Sequence, residues 1–191
     1  MQQFDLTLAD YGIGFFNPAA LANFLKAHNI RKQKLLDLFS DNHSLYLDSL
    51  AAGAWLPMTE INAQRYCIFC QQPPDEQWQR LATFAAFNLN VADDGGLWAV
   101  TSGMMNRWKA ANFTADIDVM DYQTWTGETL NKAGRLTLAR GNYQVEITAL
   151  KHQLTGQLGY WLNCVAVAKF DGYQDPRDQQ FAFNVANKPL S

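Results

Sequence analysis

Apolar and polar residues alternate along Phe4-Asp5-Leu6-Thr7-Leu8, the period of two that marks a strand with one buried face. Gly12–Phe16 reads as a second short strand. The period then changes. Asn17 followed by Pro18 is a helix start, because a proline at the first helical position gives up an N–H that has no partner there. Leu21, Phe24, Leu25 and His28 recur at intervals of three and four and form one stripe of that helix. A further helical stretch is expected from Ile30 to Phe39, ended by Ser40-Asp41-Asn42-His43-Ser44, while Leu45–Ala52 fits either a short helix or a strand.

Beyond Gly53 the period of two returns. Ala54–Ile61 and Gln64–Gln71 read as paired strands, the first an edge because Pro57 cannot donate to a ladder. Leu81 to Val91 alternates over a long stretch, and Asp93-Asp94-Gly95-Gly96 predicts a tight turn into Leu97–Thr101 as its hairpin partner. Strands are also expected at Asn112–Met120, at Leu136–Leu138, and at Tyr143–Ala149 after the turn Ala139–Asn142. Leu158–Phe170 is the most apolar run and predicts a central strand buried on both faces. Phe181–Val185 predicts a final strand. The fold class that follows is α+β, mainly β: an antiparallel β-sandwich or open barrel with a helical N-terminal portion. One domain over residues 1–191 is expected, with residues 1–52 as strand, helix and helix and residues 53–191 as the antiparallel part.

Composition narrows the class. Of the 191 residues, 48% are apolar, 13% aromatic and only 17% charged, a balance that excludes disorder for most of the length. Net charge is −3 with both signs dispersed, which argues against a nucleic-acid partner. The one basic cluster, Arg31-Lys32-Gln33-Lys34, reads as a solvated face. No stretch approaches a membrane span and no secretory signal opens the chain, so a cytoplasmic address is expected. An odd number of cysteines, three, fits reduced thiols.

Candidate chemistry is sparse. Cys67-Ile68-Phe69-Cys70 has the spacing of a redox or metal pair, yet on a strand residues three apart point to opposite faces, so these thiols are expected in the core. Zinc would need two more ligands, and neither Cys164 nor any histidine lies at ligand spacing. Asp116 and Asp118 would share one face of the predicted 112–120 strand, where two carboxylates, with Asp121 close behind, can hold a divalent ion or act as an acidic patch. The same alternation also describes a plain solvated face. No metal or cofactor is assigned.

All six tryptophans lie beyond Gly53, and Trp98, Trp108, Trp125 and Trp161 are dense in the later part. Trp98 and Trp161 sit in apolar runs and are expected in the core. Trp108, beside Arg107, and Trp125 lie in polar stretches, as recognition anchors do. The expectation is a non-enzymatic domain that binds a protein partner, of the kind of a small cytoplasmic inhibitor or immunity protein, through Arg107, Trp108, Asp116, Asp118 and Trp125. The alternatives are a metal-dependent hydrolase using the Asp cluster and a carbohydrate-binding module using the two loop tryptophans.

Overall fold

A computed structural model describes residues 2–186. The elements run β1 (Gln3–Thr7), β2 (Gly12–Phe16), α1 (Pro18–Ala27), α2 (Leu35–Asp41), α3 (His43–Ala51), β3 (Leu56–Thr59), β4 (Arg65–Cys70), β5 (Trp78–Val91), β6 (Leu97–Thr101), β7 (Val119–Gln123), β8 (Thr129–Leu136), β9 (Gly141–His152) and β10 (Leu158–Val167). They form two five-stranded sheets. The order is β1-β4-β10-β9-β5 in one and β3-β2-β6-β8-β7 in the other. The α+β, mainly β sandwich expected from the pattern is what forms. Every pairing is antiparallel except β4 with β10, which run parallel.

Side-chain alternation sets the layers. Ile13, Phe15, Leu97 and Ala99 turn one way, onto Ile68, Val145, Ile147 and Tyr160 of the facing sheet, and build the inter-sheet core. Phe16, Trp98 and Val100 turn the other way and pack on Leu21, Phe24, Leu35, Phe39 and Tyr46 of the helices. The β3-β2-β6-β8-β7 sheet is thus the middle layer, between helices and the second, outer sheet. The two sheets come closest where β1 meets β8. There a Cβ on Gly134 would overlap the Phe4 ring, so only glycine fits, and the Asn131 side chain donates to the Asp5 carbonyl at 2.9 Å.

Asn17 joins all three layers. Its side-chain oxygen accepts from the Ala20 amide at 2.9 Å and so caps α1. The same oxygen accepts from the Ala92 amide at 3.2 Å, and its amide donates to the Asp93 carboxylate and the Gly96 carbonyl, each at 2.9 Å. These bonds organise a corner and not a hairpin: β5 pairs with β9 in the outer sheet, whereas β6 pairs with β2 and β8 in the middle sheet. The expected hairpin is corrected on this point. Two Asp and two Gly supply tight-turn geometry either way, and Asn17 decides where the chain goes next.

Four further expectations change. The predicted pair of 54–61 with 64–71 is split, since β3 pairs with β2 and β4 with β1 and β10; β3 is nevertheless an edge. The helical reading of Ile30–Phe39 holds only from Leu35, and Leu45–Ala52 resolves as helix. Residues 113–118 are not a strand, which starts at Val119. Phe181–Val185 is not a strand either: Phe181, Phe183 and Val185 cover the inter-sheet core from a loop, held by Tyr160 Oη donating to the Phe183 carbonyl at 2.8 Å. β10 is central as expected, with both faces buried from Leu158 to Leu162.

Candidate functional site

The hairpin β7–β8 lies at the free edge of the middle sheet and ends in the turn Thr124-Trp125-Thr126-Gly127. The turn is closed on itself. The Thr124 amide donates to the Glu128 carbonyl at 2.9 Å, and the Gly127 amide to the Thr124 carbonyl at 3.0 Å. The Glu128 amide donates to Thr124 Oγ1 at 3.1 Å, and the Thr124 and Thr126 hydroxyls lie 2.8 Å apart. Gly127 stands at φ 82°, a left-handed value that favours glycine. A hydrogen-bonded tip of this kind presents its second residue rigidly, and that residue, Trp125, is fully exposed. Tyr122 is also exposed, and Asp121, Gln123 and Glu128 surround the tip with polar groups.

The predicted site residues do not stay together. Trp108 is not a surface anchor: it is 6% exposed, stacked on Phe113 at 5.4 Å and set edge-on to Phe16 at 5.2 Å. Burial of its ring satisfies the helix-side core, and that outweighs the polar neighbours that suggested a loop. Its loss from the surface also removes the two-tryptophan platform of the carbohydrate reading. Arg107 is exposed at the end of the 3₁₀ turn Ser102–Arg107. Asp116 and Asp118 sit in the loop ahead of β7, so the shared strand face expected for them does not exist.

Each of these two carboxylates has its own anchor. A hydrogen bond from the Thr114 hydroxyl holds the Asp116 carboxyl below the ordinary carboxylate range. The Arg135 guanidinium, 2.7 Å from Asp118, does the same there. Both are ionised at neutral pH and neither is poised to deliver a proton. Among the described residues, no group of three or more His, Cys, Asp or Glu side chains is placed to hold a metal ion.

The cysteine pair diverges as strand geometry requires: Cys70 and Cys164 belong to the inter-sheet core, and Cys67 to a small cluster with Phe69, Leu150 and Trp161 on the far face of the outer sheet. All three are free and buried. Burial, then the nearby Asp5 carboxylate, pushes the Cys67 thiol up to about 12. It is therefore protonated and a poor nucleophile at neutral pH. Trp161 occupies the same far face, where the Arg80 guanidinium lies 5.3 Å from its ring and its indole N–H donates to the Gln71 carbonyl.

The rigid tip itself is not evident in the strand and helix pattern. Its one sequence signal is Thr-x-Thr-Gly, hydroxyls that close a turn on either side of an outward position, followed by a glycine for the left-handed step.

Among the described residues, no helix is long and apolar enough to cross a membrane. No family model and no curated protein matches the chain. Among solved structures it is similar to the crystal structure of ComJ, inhibitor of the DNA degrading activity of NucA, from Bacillus subtilis. The two share 11% identity over 87% of this chain and 96% of that one, with a TM-score of 0.41. A likeness of that size carries no argument about this chain.

Proposed function

We propose that this chain is a non-enzymatic, cytoplasmic protein-binding domain, of the inhibitor type, that engages a protein partner with Trp125 as its anchor. The observation that carries the reading is a fully exposed tryptophan on a hairpin tip whose backbone is already hydrogen-bonded in place. Leaving an indole in water forgoes the largest apolar burial any side chain offers. A rigid presentation reduces the ordering that binding would otherwise require. Tyr122, Asp121 and Glu128 form the polar rim that such anchors use to exclude water.

Side chains, and not strand addition, make the contact. β7 has only five residues, carries Asp121 and is set off register at Met120/Asp121 by the extra residue Lys132 on β8. All three features discourage pairing with another edge. The ionised Asp116 and Asp118 flank this edge and favour a partner surface with positive charge; Asp118 is already matched in part by Arg135.

A photo-crosslinking residue placed at position 125, in an extract of the source cells, tests the reading against the same residue at Leu154, which is 80% exposed on the β9–β10 turn. One defined protein adduct is expected from position 125 and none from 154. Trp125→Ser is expected to weaken that complex by about thirtyfold or more, the scale of a hot-spot truncation. Identical adducts from both positions, or unchanged affinity of the Ser variant, would refute it.

A further inference from the structure

Helix α1 closes with two reversed hydrogen bonds: the Asn29 amide donates to the Lys26 carbonyl at 3.0 Å, and the Ile30 amide to the Leu25 carbonyl at 2.8 Å. Asn29 takes the left-handed conformation this closure needs, φ 56°. The chain then leaves the helix as an irregular connector, and the Gln33 carbonyl accepts from the Trp108 amide at 3.0 Å, fastening the connector to the segment after the 3₁₀ turn. An open cleft of about 690 Å³ lies between helix, connector and that segment, within the range of small-ligand sites.

Lys26, Arg31, Lys32 and Lys109 line the cleft, and no carboxylate does. Only two of the four belong to the basic run seen in the sequence; the fold adds Lys26 from α1 and Lys109 from a site more than seventy residues further along. All four are exposed, and none has an ion-pair partner among the described residues, whose ion pairs are Lys34–Asp37, Arg65–Glu128, Arg135–Asp118 and Arg177–Asp175. In a chain of net charge −3, this is a local excess of positive charge. Like charges gathered around one cavity repel, and an anion among them relieves that repulsion. The Leu25 and Lys26 carbonyls, which would oppose an anion, are occupied by the amide donors of the closure. Ala22 and Ile30, both half-buried, give the cleft an apolar wall.

We infer that this cleft binds a small ligand carrying two or more phosphates, a nucleotide or an inorganic polyphosphate. The phosphates lie among the four cations, and any base or other apolar part lies against Ala22 and Ile30. The site shares no residue with the β7–β8 hairpin, so it stands or falls independently of the proposed partner binding.

Titration calorimetry with sodium tripolyphosphate and with ATP tests it. Saturable binding is expected, weakened about tenfold or more when salt is raised from about 50 to about 300 mM. Equal affinity for the two ligands assigns the site to phosphate charge alone; tighter ATP binding adds the base against Ala22 and Ile30. Lys26→Glu with Lys109→Glu should cost about tenfold or more, and Arg31→Ala with Lys32→Ala, outside any helix or strand, should do likewise, while Lys34→Glu stays within about twofold. Absence of saturable binding by both ligands would overturn the inference, as would full affinity in both double variants with thermal midpoints intact. Binding of a short single-stranded DNA with tripolyphosphate and ATP both silent would overturn it in favour of a nucleic-acid surface.

Discussion

The middle and outer sheets have the same number of strands but different surroundings, and their sequences record it. Every residue of β6 is buried, because Leu97 and Ala99 face the outer sheet while Trp98 and Val100 face the helices. In β9 the buried Tyr143, Val145 and Ile147 alternate with half-buried Gln144 and Glu146, which lie on the far face of the outer sheet. A continuous apolar run reports two covered faces, and alternation reports one. The exception is the far-face cluster of Cys67, Phe69, Leu150 and Trp161, which no third layer covers. Its cover is local: Trp78 packs edge-on to Phe69 at 5.0 Å, and Arg80 lies over Trp161.

The comparison is broken hardest at Trp98, which is fully buried between the middle sheet and the helices. Trp98→Ala should lower stability by about 3–5 kcal/mol in urea denaturation. Trp98→Phe should cost far less than that, since the Trp98 indole N–H is buried without a partner among the described residues. Asn17→Ala comes next, at about 2–3 kcal/mol by the same measurement, because one side chain caps α1 and also holds the corner that passes the chain between the sheets. Trp161→Ala, on the open face, should cost about 2 kcal/mol; a loss equal to that of Trp98→Ala would mean the far face is covered as fully as the helix side.

Cys67 sharpens the contrast through pH. Its native thiol stays protonated up to about 12, against an ordinary value of 9.0. Between those values the unfolded chain binds fewer protons than the native one. Its contribution to stability is therefore intact below pH 9 and declines as pH rises from there toward 12. The change in denaturation midpoint between pH 8 and pH 10 should be smaller in Cys67→Ala than in the parent, and native protein at pH 8 should react slowly with a thiol reagent that titrates all three cysteines in urea. The smallest effect belongs to Trp125→Ser, within about 0.5 kcal/mol of the parent, since its ring contributes nothing to either core.

Much of the scaffold was legible because its causes are local. Asn17-Pro18 starts α1 where expected, Pro57 marks β3 as an edge, and alternation locates β1, β5 and β9. The divergence of Cys67 and Cys70 follows from the period of two alone. The candidate site was legible only in part. Trp125 is as exposed as its polar neighbours imply, whereas Trp108, in an equally polar stretch, is drawn inward by Phe16 and Phe113, distant in sequence and adjacent in space.

What the chain by itself determines here is its set of strands and helices and which face of each is apolar, because propensity, capping and side-chain period act within a few residues. Tertiary structure alone decides which sheet each strand joins. Asp93–Gly96 would serve a hairpin equally well, and the outcome depends on Asn17, 76 residues away from Asp93. It also decides which tryptophan remains in water and which four cations meet around one cleft, since burial and charge proximity are set by packing between segments and not by order along the chain.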